Sequence, residues 1–287
     1  MTKIVISTIS EAGGKVNEDL INFTKNAFWV MDGATGLWDR SITGNNDAVW
    51  FVSEFNKYLE RNIHNDASLQ DIVRAGISEI KEKWEDILRS KNIADLPTYA
   101  EPSSSLILVR FDDEFKKMEY FLLGDSVLVF SIDGNYKIVQ EDKLRMLDNI
   151  AKKEMSKYLN QGYSLAESRE RIIPTLKKHR NMKNTEEGYW VLSFQEEAVK
   201  HAFTGTVDIE KEAYILAMTD GLEAIIAEYK VFPSYISMLE HLKLYKSFGE
   251  VYNTLRNIEN MDSEGKLFPR FKKSDDASAI YFEVIKT

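Results

Sequence analysis

The chain has 287 residues, 44% hydrophobic and 29% charged, which suffices for one large core, and its formal net charge of −9 argues against a polyanionic nucleic acid as partner. With no cysteine, disulfides, thiolate metal sites and thiol nucleophiles are excluded, so any metal must be held by oxygen or imidazole.

The N-terminal MTKIVISTISEAGG lacks the basic start and apolar core of a signal peptide, and no apolar run reaches the ~20 residues of a membrane helix. The expectation is a cytoplasmic soluble protein with no membrane partner. Residues 3–9 and 20–31 read as strands. Val49, Val52, Phe55, Leu59 and Ile63 then form a helical stripe, and Ser68–Asp71 caps a second helix carrying Ile77, Ile80, Trp84 and Ile87. Residues 105–111, 117–125, 127–133 and 136–140 follow as strands with short connections, as in an antiparallel meander. Leu144, Leu147, Ala151, Met155 and Tyr158 mark another helix, and Ser164–Glu167 caps one that Pro174 should kink or end. Residues 189–194 and 212–220 read as strands, 221–229 and 233–260 as mostly helical, and 277–285 as a closing strand. Strands and helices come in runs, with no linker or internal repeat, so the class is α+β, antiparallel sheets faced by helix pairs in one domain.

Acids fall repeatedly where apolar segments begin or end: Asn17-Glu18-Asp19, Asp32-Gly33, Gly124-Asp125-Ser126, Asp220-Gly221 and Asp275-Asp276. One such acid is an ordinary turn residue. Five brought to one edge would repel one another prohibitively without cations, and oxygen ligands suit Mg²⁺ or Mn²⁺. Two ions roughly 3.5–4 Å apart, bridged by one carboxylate, can hold a hydroxide in line with phosphorus. Asp32 fits the bridging place, and Gly33, without a side chain, lets its carbonyl approach a metal.

In order, NED (17–19), VMDG (30–33), GDS (124–126), AMTDG (217–221) and DDASAI (275–280) resemble the signature of the metal-dependent protein phosphatases of the PPM family, the type 2C serine/threonine phosphatases, in their bacterial branch. The resemblance spans about residues 7–285 and implies a four-layer α/β/β/α sandwich, two central antiparallel sheets flanked by helix pairs, with two Mg²⁺ or Mn²⁺ ions at one edge. It implies that Asp32 bridges the ions, that Asp220 and Asp275 bind the first, and that Glu18 and the Gly33 carbonyl bind the second. Asp19 matches an acid that holds a metal-bound water, and Asp125 an acid linked in some members to a third, weaker ion position. Asp32, Asp220 and Asp275 would carry catalysis.

The departures are specific. The arginine that members carry five residues before the second acid of NED, where it binds substrate phosphate, is Gly14 here; Lys15 beside it is a candidate substitute for phosphate binding, as a point charge without the guanidinium fork. Ala34 stands where some eukaryotic members have a histidine acid, and Val127 where an arginine usually follows GDS. Residues 141–210 match the family poorly and contain the basic cluster LKKHRNMKNTEEGYW (176–190). That cluster reads either as a solvated helix end complementing the helix dipole or as the source, through Arg180 or a neighbouring lysine, of the missing phosphate contact. The histidines at 64, 179, 201 and 241 show no pair at metal-ligand spacing, and Ser103–Ser105 lies in no nucleophile elbow. The expected activity is hydrolysis of phosphomonoesters, foremost phosphoserine or phosphothreonine in proteins. The alternatives are a noncatalytic phosphoprotein-binding relative and a phosphatase for a small metabolite.

Overall fold

Along residues 27–31 every side chain is buried, so a strand here must be covered on both faces. The computed structural model, which describes residues 2–286, builds the whole fold on that requirement. In chain order the elements are β1 (Thr2–Glu11), β2 (Leu20–Phe23), β3 (Ala27–Ala34), α1 (Asp47–Asn62), α2 (Leu69–Ser90), β4 (Ser103–Phe111), β5 (Lys117–Leu123), β6 (Val127–Ile132), β7 (Asn135–Val139), α3 (Lys143–Asn160), α4 (Leu165–Arg171), α5 (Ile173–Arg180), β8 (Phe203–Asp208), β9 (Glu212–Met218), α6 (Asp220–Ala227), α7 (Tyr235–Tyr245), α8 (Gly249–Met261) and β10 (Ala277–Lys286).

Two antiparallel sheets result, ordered β1-β10-β9-β6-β7 and β2-β3-β4-β5-β8. Alternation decides what each face meets. Phe28 and Val30 of β3, Ile107 and Val109 of β4, and Phe282 and Val284 of β10 fill the core between the sheets, where Phe28 stacks on Phe282 at 5.4 Å. Trp29, Met31, Leu106 and Leu108 point the other way and are covered by α1 and α2. Leu216, Met218 and Tyr281 on the outer face of the first sheet are covered by α6, α7 and α8. The four layers are therefore helix, sheet, sheet, helix, as the sequence implied. Among the described residues no helix is long and apolar enough to cross a membrane.

Several boundaries differ from the sequence reading. Residues 20–31 are two strands, β2 and β3, separated by a turn. Residues 189–194 are buried but form no strand: Leu192 exchanges both backbone hydrogen bonds with Ser104, at 2.9 Å each, and the neighbouring aromatics fill the core. The strand that pairs with β5 is instead β8, half-exposed at a sheet edge. The helix capped by Ser164 does end before Pro174, at Arg171, and Pro174 sits in the first turn of the next helix, α5, where its missing N–H costs nothing. The helical stretch 233–260 is broken at Lys246, whose left-handed φ of 52° ends α7.

Candidate active site

Strand register brings the acids together. In the first sheet Met218 pairs with both Val127 and Ala279, which sets Asp220, Asp125 and Asp275 beyond the ends of three neighbouring strands. In the facing sheet Asp32 pairs with Ser105, and the Ser105 hydroxyl hydrogen-bonds to that of Ser126, so the two sheets are joined at this edge. The three serines at 103–105 are buried there, which explains them as packing and hydrogen-bonding residues. Two glycines permit the approach. A Cβ on Gly33 would lie 2.4 Å from the Glu18 carbonyl oxygen, and one on Gly221 1.9 Å from that of Asp276.

The acids open into a cleft of about 600 Å³ lined by Asp32, Asp125, Asp220 and Asp275, among others. Burial, then the charges of Asp220, Asp19, Asp125 and Asp275, hold the Asp32 carboxyl well above its ordinary range. Burial, then Asp275, does the same to Asp19, which accepts a 2.9 Å hydrogen bond from the Thr219 hydroxyl. Burial, then Asp220, raises Asp125, and the same two causes push Asp275 up to about 6. Lys272 opposes this with a 2.6 Å ion pair to Asp275, which holds its ammonium above the usual value despite burial. Among the described residues, no three of these side chains have drawn in to the spacing of ligands around one ion. The donor set is nevertheless all oxygen, strongly self-repelling and matched by one lysine, which is the chemistry that a hard divalent cation satisfies.

Not every residue singled out in the sequence joins this cluster. Glu18 lines the cleft, but its carboxylate is turned to Thr35 and Asn46, accepting a 2.7 Å bond from the Thr35 hydroxyl and one from the Asn46 amide. It thereby ties the loop after β3 to the N-cap of α1, and Asp19 rather than Glu18 faces the other acids. Lys15 is exposed and does not line the cleft, whereas its neighbours Gly14 and Val16 do. The second acid of DDASAI, Asp276, binds the loop instead, accepting 2.8 Å bonds from the backbone N–H groups of Gly13 and Glu18.

Arg180 enters the cleft from the opposite wall and donates a 3.2 Å hydrogen bond to the Thr35 carbonyl, three residues beyond Asp32. Its place is fixed from behind. Lys183, fully buried, donates to the Glu101 carbonyl at 3.2 Å; burial, partly offset by the Glu101 carboxylate, pushes its ammonium down to about 7.

Asp148, from α3, was missed: it also lines the cleft, and burial followed by the charge of Asp220 pushes its carboxyl up to about 6. A signal was present, since Asp148 falls within the stripe formed by Leu144, Ala151 and Met155. It lies between Arg145 and Lys152, which bind Glu223 at 2.7 Å and Glu228 at 2.9 Å on or just after α6. These ion pairs clasp α3 to the sandwich, while Ala151, Met155, Leu159, Leu165 and Ile172 form a separate small core beneath α3–α5. Arg145→Ala is expected to cost about 2–3 kcal/mol locally, below the full price of breaking a buried pair because the Arg145 side chain is 27% exposed. Hydrogen exchange should show at least tenfold faster amide exchange in α3 with β3 and β10 unchanged; uniform acceleration would contradict the clasp.

The family profile described as "Protein phosphatase 2C" matches residues 10–259. No curated protein sequence is significantly similar to the chain. Among solved structures, the manganese-bound catalytic domain of the serine/threonine protein phosphatase PstP superposes with a TM-score of 0.56 at 15% identity, covering 100% of both chains. The Mycobacterium tuberculosis PstP/Ppp phosphatase gives 0.56 at 15% identity over 98% of this chain and 97% of that one. PppA of Pseudomonas aeruginosa gives 0.53 at 15% identity over 98% and 96%. These structures share the fold, and the match over 10–259 goes further: the chain belongs to the protein phosphatase 2C family.

Proposed function

We propose that the protein is a Mg²⁺- or Mn²⁺-dependent phosphatase that hydrolyses phosphomonoesters, foremost phosphoserine or phosphothreonine in proteins. The observation that carries this reading is the convergence of Asp32, Asp125, Asp220 and Asp275, from four separate stretches of chain, on one cleft, with Asp19 buried close enough to act on Asp32. Asp32 is central, since all four of the others act on its carboxyl. It would be shared by two ions, with Asp220 and Asp275 completing one position and the Gly33 carbonyl serving the other. Asp19, fixed by Thr219, would orient the second position in place of Glu18, and Asp125 with Asp220 would face a third, weaker one. When bound, such ions supply a nucleophile from water at neutral pH and neutralise the phosphate. The chain's own part is to hold that oxygen cage rigid on strand ends and to orient the phosphate through the Arg180 fork, which takes over from the missing arginine at Gly14.

Phosphate release from p-nitrophenyl phosphate and from a phosphothreonine peptide is expected with Mn²⁺, lost in excess chelator and restored when Mn²⁺ is returned. Binding of Mn²⁺ without release from either compound would make the protein a noncatalytic relative. Release from small phosphoesters alone would make it a metabolite phosphatase.

A further inference from the structure

The cleft is two-toned. Its floor is acidic, but the wall built by α4 and α5 presents Arg169, Lys177 and Arg180 in a chain whose net charge is −9. Among the described residues none of these three has a carboxylate within ion-pair distance, whereas Lys272, which lines the same cleft, is paired with Asp275. Arg180 is held by a carbonyl, and Lys177 lies 4.8 Å over the ring of Tyr99. Neutral partners hold Arg180 and Lys177 in place, Arg169 is exposed, and among the described residues no ion pair ties up any of the three. One phosphomonoester at the floor, met by Arg180, does not account for the rest of the wall.

Lys177 and Arg180 are three residues apart on α5, so they stand on one face about one turn, or ~5 Å, from each other. An extended peptide advances ~3.3 Å per residue, and alternate side chains point the same way. A group near Lys177 therefore belongs to a side chain within about two residues of the one whose phosphate lies near Arg180. Trp38, Ile173 and Leu176 line the same cleft and offer apolar surface for the intervening chain.

We propose that the cleft selects phosphopeptides carrying a second anionic group, a carboxylate or another phosphate, within about two residues of the phosphorylated residue, and that Lys177 and Arg169 read it. The proposal rests on the phosphatase reading of the same site. Partly exposed ion pairs are individually modest, so two of them predict a preference of about 5- to 10-fold.

The test uses the Mn²⁺-loaded full chain and phosphothreonine peptides that differ only at the flanking positions: neutral, aspartate, lysine, or a second phosphoserine. The expected kcat/KM order places the aspartate and doubly phosphorylated peptides about 5- to 10-fold above the neutral one and the lysine peptide below it, and the larger of the two gains identifies the preferred anion. In Lys177→Gln/Arg169→Gln the gain relative to p-nitrophenyl phosphate should disappear. For the wild type, raising KCl to about 0.5 M should shrink it several-fold, a measurement that stands even if the double variant misfolds. Equal kcat/KM across the series at low salt, or a gain that survives in a folded double variant, overturns the proposal. No turnover of any peptide or of p-nitrophenyl phosphate would instead overturn the phosphatase reading.

Discussion

Asp32→Asn is expected to lower Mn²⁺-dependent turnover by roughly 10³-fold or more, because it removes the carboxylate proposed to serve both ions, each worth several kcal/mol of transition-state stabilisation. The same substitution should raise the melting temperature of the chelator-treated protein. Without ions Asp32 is a carboxylate crowded by four others, and its neutral isostere relieves that repulsion. Loss of activity together with a lower chelated melting temperature would point to misfolding and contradict this account.

The effect has a pH signature. Carboxyls raised in the folded state bind more protons there than in the unfolded chain, so stability falls as pH rises between the two pKa values. For Asp148 and Asp275 that window runs from the unfolded value near 4 to about 6, and Asp19, Asp32 and Asp125 are displaced in the same direction. The chelated wild type should therefore gain stability on acidification from pH 7 towards pH 5. Asp32→Asn should show a shallower slope, and saturating Mn²⁺ should flatten it in the wild type.

The second large effect concerns Arg180. Arg180→Ala should reduce kcat/KM for p-nitrophenyl phosphate by about 10- to 100-fold, chiefly through KM, as expected for the loss of a charge-assisted contact worth about 1.5–3 kcal/mol. Arg180→Lys should recover only part of this, since an ammonium lacks the bidentate fork. The melting temperature should move little, because Arg180 gives the fold one hydrogen bond, to the Thr35 carbonyl. An unchanged KM in Arg180→Ala would remove Arg180 from phosphate binding.

Much of this site was legible because strand-end acids and tight glycines leave local marks. Asp32-Gly33, Asp220-Gly221 and Asp275-Asp276 announce themselves in sequence, and antiparallel register does the rest by aligning the ends that carry them. The failures have equally local reasons. Residues 189–194 look like a strand because burial alone makes a run apolar, whether or not its backbone pairs; here it does so only at isolated bridges, Leu192 with Ser104 and Tyr189 with Lys183. The true strand β8 hides because an edge position leaves Phe203 and Thr204 exposed, and its Gly205 answers to the Tyr120 hydroxyl, 2.5 Å from where a Cβ would be. Glu18 and Asp19 are adjacent, and no spacing rule says which carboxylate turns to Thr35 and which to Thr219. Asp148 was hidden by its own helix, whose apolar stripe drew attention from the acid within it.

The arrangement of α3–α5 has an evolutionary corollary. A cleft-lining wall with its own little core, joined to the sandwich by charged clasps, can change its surface chemistry while the interior between the sheets keeps every neighbour it had. Recognition can then diversify faster than the chemistry it serves, and relatives with the same aspartates need not share targets.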